Sequence, residues 1–181
     1  HQMNSKLPLT NFSLIAVLLA FSFASAWSCQ VIAQDDWARW RGPNGNGIAE
    51  PGQKPPVVWS EDKNIVWKVK IPGRGHASPI VLGNRILLAT ADEEKQTQSV
   101  LCVDRQTGEQ LWETVVNEGN FPQRIHPNNT HASATIATDG RHAFTVFNNR
   151  DSVYVTALNL DGKKVWEKRV GAFEPHYPFG F

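Results

Sequence analysis

The chain has 181 residues, 41% hydrophobic and 19% charged. Eighteen Lys and Arg against seventeen Asp and Glu leave a net charge of +1, without the basic surplus of a nucleic-acid binder or the acidic tail of a cation store. Two Cys exclude a disulfide-built scaffold, and seven Trp and thirteen Gly against one Met point away from a helical bundle toward a β-protein with many tight turns.

His1 and Gln2 precede Met3, the expected start, and Lys6 is the sole charge before Asp35. Residues 14–21 are wholly apolar. A spanning helix needs about 20 apolar residues, and this run is shorter. A short apolar core behind one cation, closed by small residues, predicts a signal peptide over residues 1–33. Ala24-Ser25-Ala26 and Val31-Ile32-Ala33 both suit cleavage, and the second leaves a polar start at Gln34. Lipidation at Cys29, with bulky Trp27 two residues before it, and a retained membrane anchor are the alternatives. Cleavage after Ala33 removes only Lys6 among the charged residues, leaving 17 positive and 17 negative charges over 148 residues and Cys102 as the sole thiol. A single thiol cannot close an internal disulfide. Among Val100, Leu101 and Val103, Cys102 reads as a small core residue.

Residues 34–64 read as an N-terminal extension. Its stretch Gly42-Pro43-Asn44-Gly45-Asn46-Gly47 lacks the Lys-Ser/Thr and the helix of a phosphate loop, and is expected to lay the N-terminus on the fold. Residues 65–71 carry an extra strand around Trp67. Two longer segments then match. His76-Ala77-Ser78-Pro79-Ile80-Val81-Leu82-Gly83 leads to Trp112-Glu113, and His131-Ala132-Ser133-Ala134-Thr135-Ile136-Ala137 leads to Trp166-Glu167; the starts lie 55 residues apart and the Trp 54 apart. The first copy predicts strands over 78–82, 86–91, 99–103 and 110–116. The second predicts strands over 133–137, 142–148, 153–158 and 164–170. Gly83-Asn84, Asp139-Gly140 and Asp161-Gly162 separate them, and such pairs tolerate the positive φ of hairpin turns. Four short strands per copy form the blade of a β-propeller, which hides its two apolar faces only by stacking on neighbours. The expected fold is all-β: a propeller of four-stranded blades over 65–181, present as an N-terminal fragment with about two complete blades.

The ends of the copies are specific. Cys102-Val103-Asp104-Arg105-Gln106-Thr107-Gly108-Glu109-Gln110-Leu111-Trp112 resembles the tryptophan-docking motif of propeller repeats of the pyrroloquinoline quinone (PQQ) type, with Cys102 in place of a small Ala. Ala157-Leu158-Asn159-Leu160-Asp161-Gly162-Lys163-Lys164-Val165-Trp166 is similar, one turn residue shorter and with Asn for the first Asp. The segment Trp37-Ala38-Arg39-Trp40-Arg41-Gly42-Pro43 also looks like the start of exported quinoprotein-like propellers, often labelled as resembling the outer-membrane protein assembly lipoprotein. The resemblance implies structural docking roles for Asp104, Thr107, Gly108, Trp112, Gly162 and Trp166. Asp104 is expected to cap its turn rather than act as acid or base.

No Gly-x-Ser-x-Gly, His-Glu-x-x-His or Cys-x-x-Cys is present, and the His residues lack metal-ligand spacing. His76 and His131 occupy matching places before the first strand of each copy; with Asn129 they form a candidate channel rim, the plainer reading being a hydrogen-bonded turn His duplicated with the repeat. The expected function is an exported, non-catalytic scaffold in the periplasm or cell envelope. It takes protein or peptide partners, no nucleic acid and no cofactor of its own, and its N-terminal segment provides any membrane association. The alternatives are a PQQ- and Ca²⁺-dependent quinoprotein dehydrogenase, with quinone held only by a full-length protein, and a membrane-tethered sensor domain. Mass spectrometry of the native N-terminus is expected to find the chain starting near Trp27 or Gln34; retention of residues 3–30 would rule out cleavage at either point.

Overall fold

The computed structural model describes residues 36–122 and 125–173. The chain divides into two units, residues 1–30 and 31–181, and every described residue belongs to the second. The expected signal peptide lies outside the described residues.

The described residues form eight strands and no helix. β1 (Ile80–Leu82), β2 (Arg85–Asp92), β3 (Thr97–Asp104) and β4 (Gln110–Glu118) make one antiparallel sheet in sequence order. β5 (Ala137–Thr138), β6 (His142–Asn149), β7 (Ser152–Asn159) and β8 (Lys164–Ala172) make the second in the same way. Such meanders need only short turns, and Gly, Asn and Asp supply them. The two sheets are two successive blades of a partial β-propeller.

Alternation along each strand divides the side chains between two faces. Leu87, Ala89, Ala91, Val100, Cys102 and Val116 of the first sheet are buried in one cluster with Ala143, Phe147 and Leu158 of the second. Trp112 packs against the same cluster. The buried amide of Gln98 ties the layers: its Nε2 donates to the carbonyls of His131 (2.8 Å) and Asn148 (3.0 Å), and its Oε1 accepts from Asn117 Nδ2 (2.9 Å). Every polar atom of that side chain is thereby matched, as burial requires. Burial also pushes the Cys102 thiol up to about 11, consistent with a small core residue rather than a reactive one.

Both outer strands are bulged at matching places. On β4 the register skips Leu111 and Val116; on β8 it skips Val165 and Val170. A bulge re-aims the following side chain and twists the edge. In each repeat the first bulge falls one residue before the Trp.

Two expected strands differ from the structure. Residues 133–137 yield only the two-residue β5, because Ser133 Oγ donates to Asn129 Oδ1 (2.6 Å) and Thr135 Oγ1 accepts from Ser78 N (3.3 Å). These side-chain bonds compete with a ladder. Residues 65–71 carry no ladder, with Val66 88% exposed; alternation alone does not make a strand without a partner. The extension instead pairs at residue 37: the Trp37 and Val81 backbones exchange two hydrogen bonds of 3.0 Å, and buried Asp36 accepts from Gly83 N (2.6 Å).

The Asp139 turn before β6 makes a pH test available. Partial desolvation opposes ionisation there, but hydrogen bonds from the His142 side chain and from the backbone N–H groups of Arg141 and His142 outweigh it and bring the carboxyl down to about 2. A carboxyl depressed on folding adds stability above its unfolded pKa of about 3.9, and that stability is lost as pH falls toward the folded value. Unfolding free energy should therefore fall between about pH 4 and pH 2. Asp139→Asn should flatten that slope in denaturant titrations while leaving stability at neutral pH lower than in the parent.

Candidate functional site

The turn after β3 is built around Asp104. Its Oδ1 accepts from the N–H groups of Gln106 (2.8 Å) and Thr107 (2.9 Å), and its Oδ2 from Asn84 Nδ2 (2.6 Å). The Thr107 N–H is the largest influence on this carboxyl, which lies below the ordinary carboxylate range. Thr107 Oγ1 accepts from Glu109 N (3.2 Å), and Gly108 N donates to Asp104 O (2.9 Å). In the shorter second turn Asn159 Oδ1 accepts from Asp161 N (3.1 Å) and Lys163 N (2.8 Å), and Gly162 N donates to Asn159 O (3.0 Å). Both caps leave their glycine at positive φ, +77° at Gly108 and +82° at Gly162.

Each glycine lies under the indole of the preceding repeat, not that of its own. A Cβ on Gly108 would stand 2.7 Å from Trp67 Cδ2, and one on Gly162 would stand 2.7 Å from Trp112 Cδ2. Trp67 Nε1 donates to Arg105 O (2.9 Å), and Trp112 Nε1 donates to Leu160 O (3.1 Å). Both acceptors are the residue directly after the capping Asp or Asn. Thr114 Oγ1 adds a bond to Gly162 O (2.6 Å). Trp166, the third indole of the series, is 44% exposed and leans on Phe144, with ring centroids 6.0 Å apart.

The candidate rim residues come close together through the backbone. His76 N donates to Ala132 O (3.0 Å) and to Thr130 Oγ1 (3.2 Å), so the two opening segments run side by side. The His76 side chain is exposed. His131 is half-buried against Phe121, with ring centroids 4.2 Å apart, and burial lowers its pKa. Asn129 Oδ1 is engaged by Ser133 Oγ. The three residues thus have different environments: His76 faces solvent, His131 is packed on a ring, and Asn129 is held by a hydrogen bond. The resemblance implied docking roles for Asp104, Thr107, Gly108, Trp112, Gly162 and Trp166; in the structure Trp112 lies on the Gly162 turn, whereas the Trp166 ring is 44% exposed. The resemblance did not identify Trp67 as the partner of Gly108, since that contact spans 41 residues.

Among the described residues no three His, Cys, Asp or Glu side chains converge on a place for a metal ion. The carboxylates of Asp92, Asp104 and Asp139 accept from their own turns.

Stacked four-stranded sheets locked by an indole on the next turn define a propeller of PQQ-like repeats. The family model described as outer membrane protein assembly factor BamB matches residues 44–176, and the chain belongs to that family. No curated protein matches the chain. Thirteen solved chains match. One is a europium-containing methanol dehydrogenase, 11% identical, with a TM-score of 0.34 over 54% of this chain and 25% of that chain. The match therefore takes in about a quarter of that enzyme's length.

The docking geometry separates three substitutions. Gly162→Ala meets both a forbidding φ and the Trp112 ring, and should cost about 2–3 kcal/mol or more. Trp112→Ala should cost about 3 kcal/mol or more. Trp166→Ala, on a solvent-facing ring, should cost under about 1 kcal/mol in this chain. Chemical denaturation of the three variants checks the order; equal costs for the two Trp variants would refute it.

Proposed function

We propose that the chain is a non-catalytic binding or assembly scaffold, exported to the cell envelope, which holds protein or peptide segments on its open sheet surfaces. The observation that carries this reading is the outer face of the second sheet. There Trp166 is 44%, Val165 52% and Val170 56% exposed. An apolar surface of that kind suits a further repeat or a partner segment more than solvent. On the first sheet the equivalent Trp112 is spent on holding the neighbouring repeat. The family description, which concerns an outer membrane protein assembly factor, supports the same reading and an envelope location.

A scaffold of this kind turns over nothing and needs no quinone. Among the described residues the two sheets share one interface and enclose no central pocket of the sort that buries most of a ligand. The chain should therefore show no tight binding of PQQ with Ca²⁺ by absorbance titration, and no dye-linked dehydrogenase activity. It should self-associate in sedimentation experiments, and Trp166→Asp should shift it toward monomer. A monomer that takes up quinone stoichiometrically would overturn the scaffold reading in favour of an enzyme.

A further inference from the structure

The two repeats differ, among other places, at a pair of positions on the face that each sheet turns toward the chain preceding it. Cys102 opposite Trp112 corresponds to Ala157 opposite Trp166. Counting from those pairs, Thr90 and Ser99 of the first sheet stand where the second has Phe147 and Tyr154, and each pair is directly opposed across its two strands. Phe147 fills the core between the sheets. On the first sheet the corresponding space, on the side away from the second sheet, is left open by the two small hydroxyl residues as a cleft of about 330 Å³ under Pro72 and Gly73, lined also by Asp92, Lys95, Glu113 and Val115.

The cleft contains an unmet polar group. Ser99 is 1% exposed, and its Oγ has no hydrogen-bond partner among the described residues. Thr90 beside it is satisfied, donating to Pro72 O (2.6 Å). A buried hydroxyl without a partner bears a desolvation cost that a bound polar atom would offset. The charges are unequal as well. Asp92 pairs with Lys95 (3.4 Å), whereas Glu113 has no ion pair among the described residues. One uncompensated carboxylate thus faces the same space as the orphan hydroxyl.

We propose that this cleft binds a small organic cation, a ligand carrying a guanidinium or ammonium group on a short aliphatic body. Glu113 supplies the opposite charge, Ser99 Oγ accepts one N–H, and Pro72 and Val115 take the aliphatic part. This binding is independent of the scaffold reading, since it uses the first sheet's outer surface rather than the exposed Trp166 face.

The test is titration of the full chain with agmatine, followed by calorimetry and by backbone amide shifts of β2–β4. Saturable binding is expected, weakened about tenfold by Glu113→Gln through loss of a charge-assisted bond. Thr90→Phe with Ser99→Tyr, which writes the second repeat's aromatic pair into the first, should abolish it. Should that double variant fail to fold by circular dichroism, Ser99→Ala takes its place and is expected to weaken binding several-fold. No saturable binding by the parent chain overturns the proposal, as does binding that Glu113→Gln or the cleft variant leaves unchanged.

Discussion

An indole laid on a glycine with no side chain to hold it off is the contact on which the arrangement depends. A four-stranded sheet with two apolar faces cannot stay folded in water alone, so each repeat must present a surface shaped for the next. The Trp supplies a large flat apolar area and one N–H. The following turn supplies a flat place and one carbonyl. That place exists only because Asp104 or Asn159 gathers the turn's N–H groups and leaves Gly108 or Gly162 at positive φ. The cap, the glycine and the indole are three parts of one device, and they come from two different repeats.

Because the device is directional, the two sides of each sheet do different work. Toward the second repeat, the first sheet offers Leu87, Ala89, Val100 and Cys102, and Phe147 fills the space that the small residues leave. Close packing of this kind leaves few voids larger than a water molecule. The opposite side of the first sheet carries Thr90 and Ser99, and there the space is not filled by described residues. The bulges one residue before Trp112 and Trp166 belong to the same asymmetry, as do the exposed apolar residues of β8.

Three of the acidic residues are spent on shape. Asp92, Asp104 and Asp139 each accept backbone N–H groups within their own turns. Such bonds favour the ionised form. Carboxylates committed in this way hold hairpins and have few lone pairs free for a metal. What the described surface has left to offer a partner is apolar area on one sheet and a partly charged cleft on the other.

Local chemistry made much of this legible from the sequence. Alternating apolar residues between Gly, Asn and Asp turns located β2–β4 and β6–β8 to within two residues, because period and turn type are set by neighbours along the chain. The run from Asp104 through Gly108 to Trp112 resembles a docking motif, and its turn chemistry is likewise local. Tertiary structure alone decided which glycine each indole meets, since Trp67 to Gly108 and Trp112 to Gly162 are contacts between repeats. It also decided that 133–137 gives up most of its ladder to bonds with Ser78 and Asn129, and that His131 packs on Phe121 while its sequence equivalent His76 faces solvent. Two copies of one pattern share their local chemistry, but a residue's burial depends on what lies across from it, and that neighbour comes from another repeat.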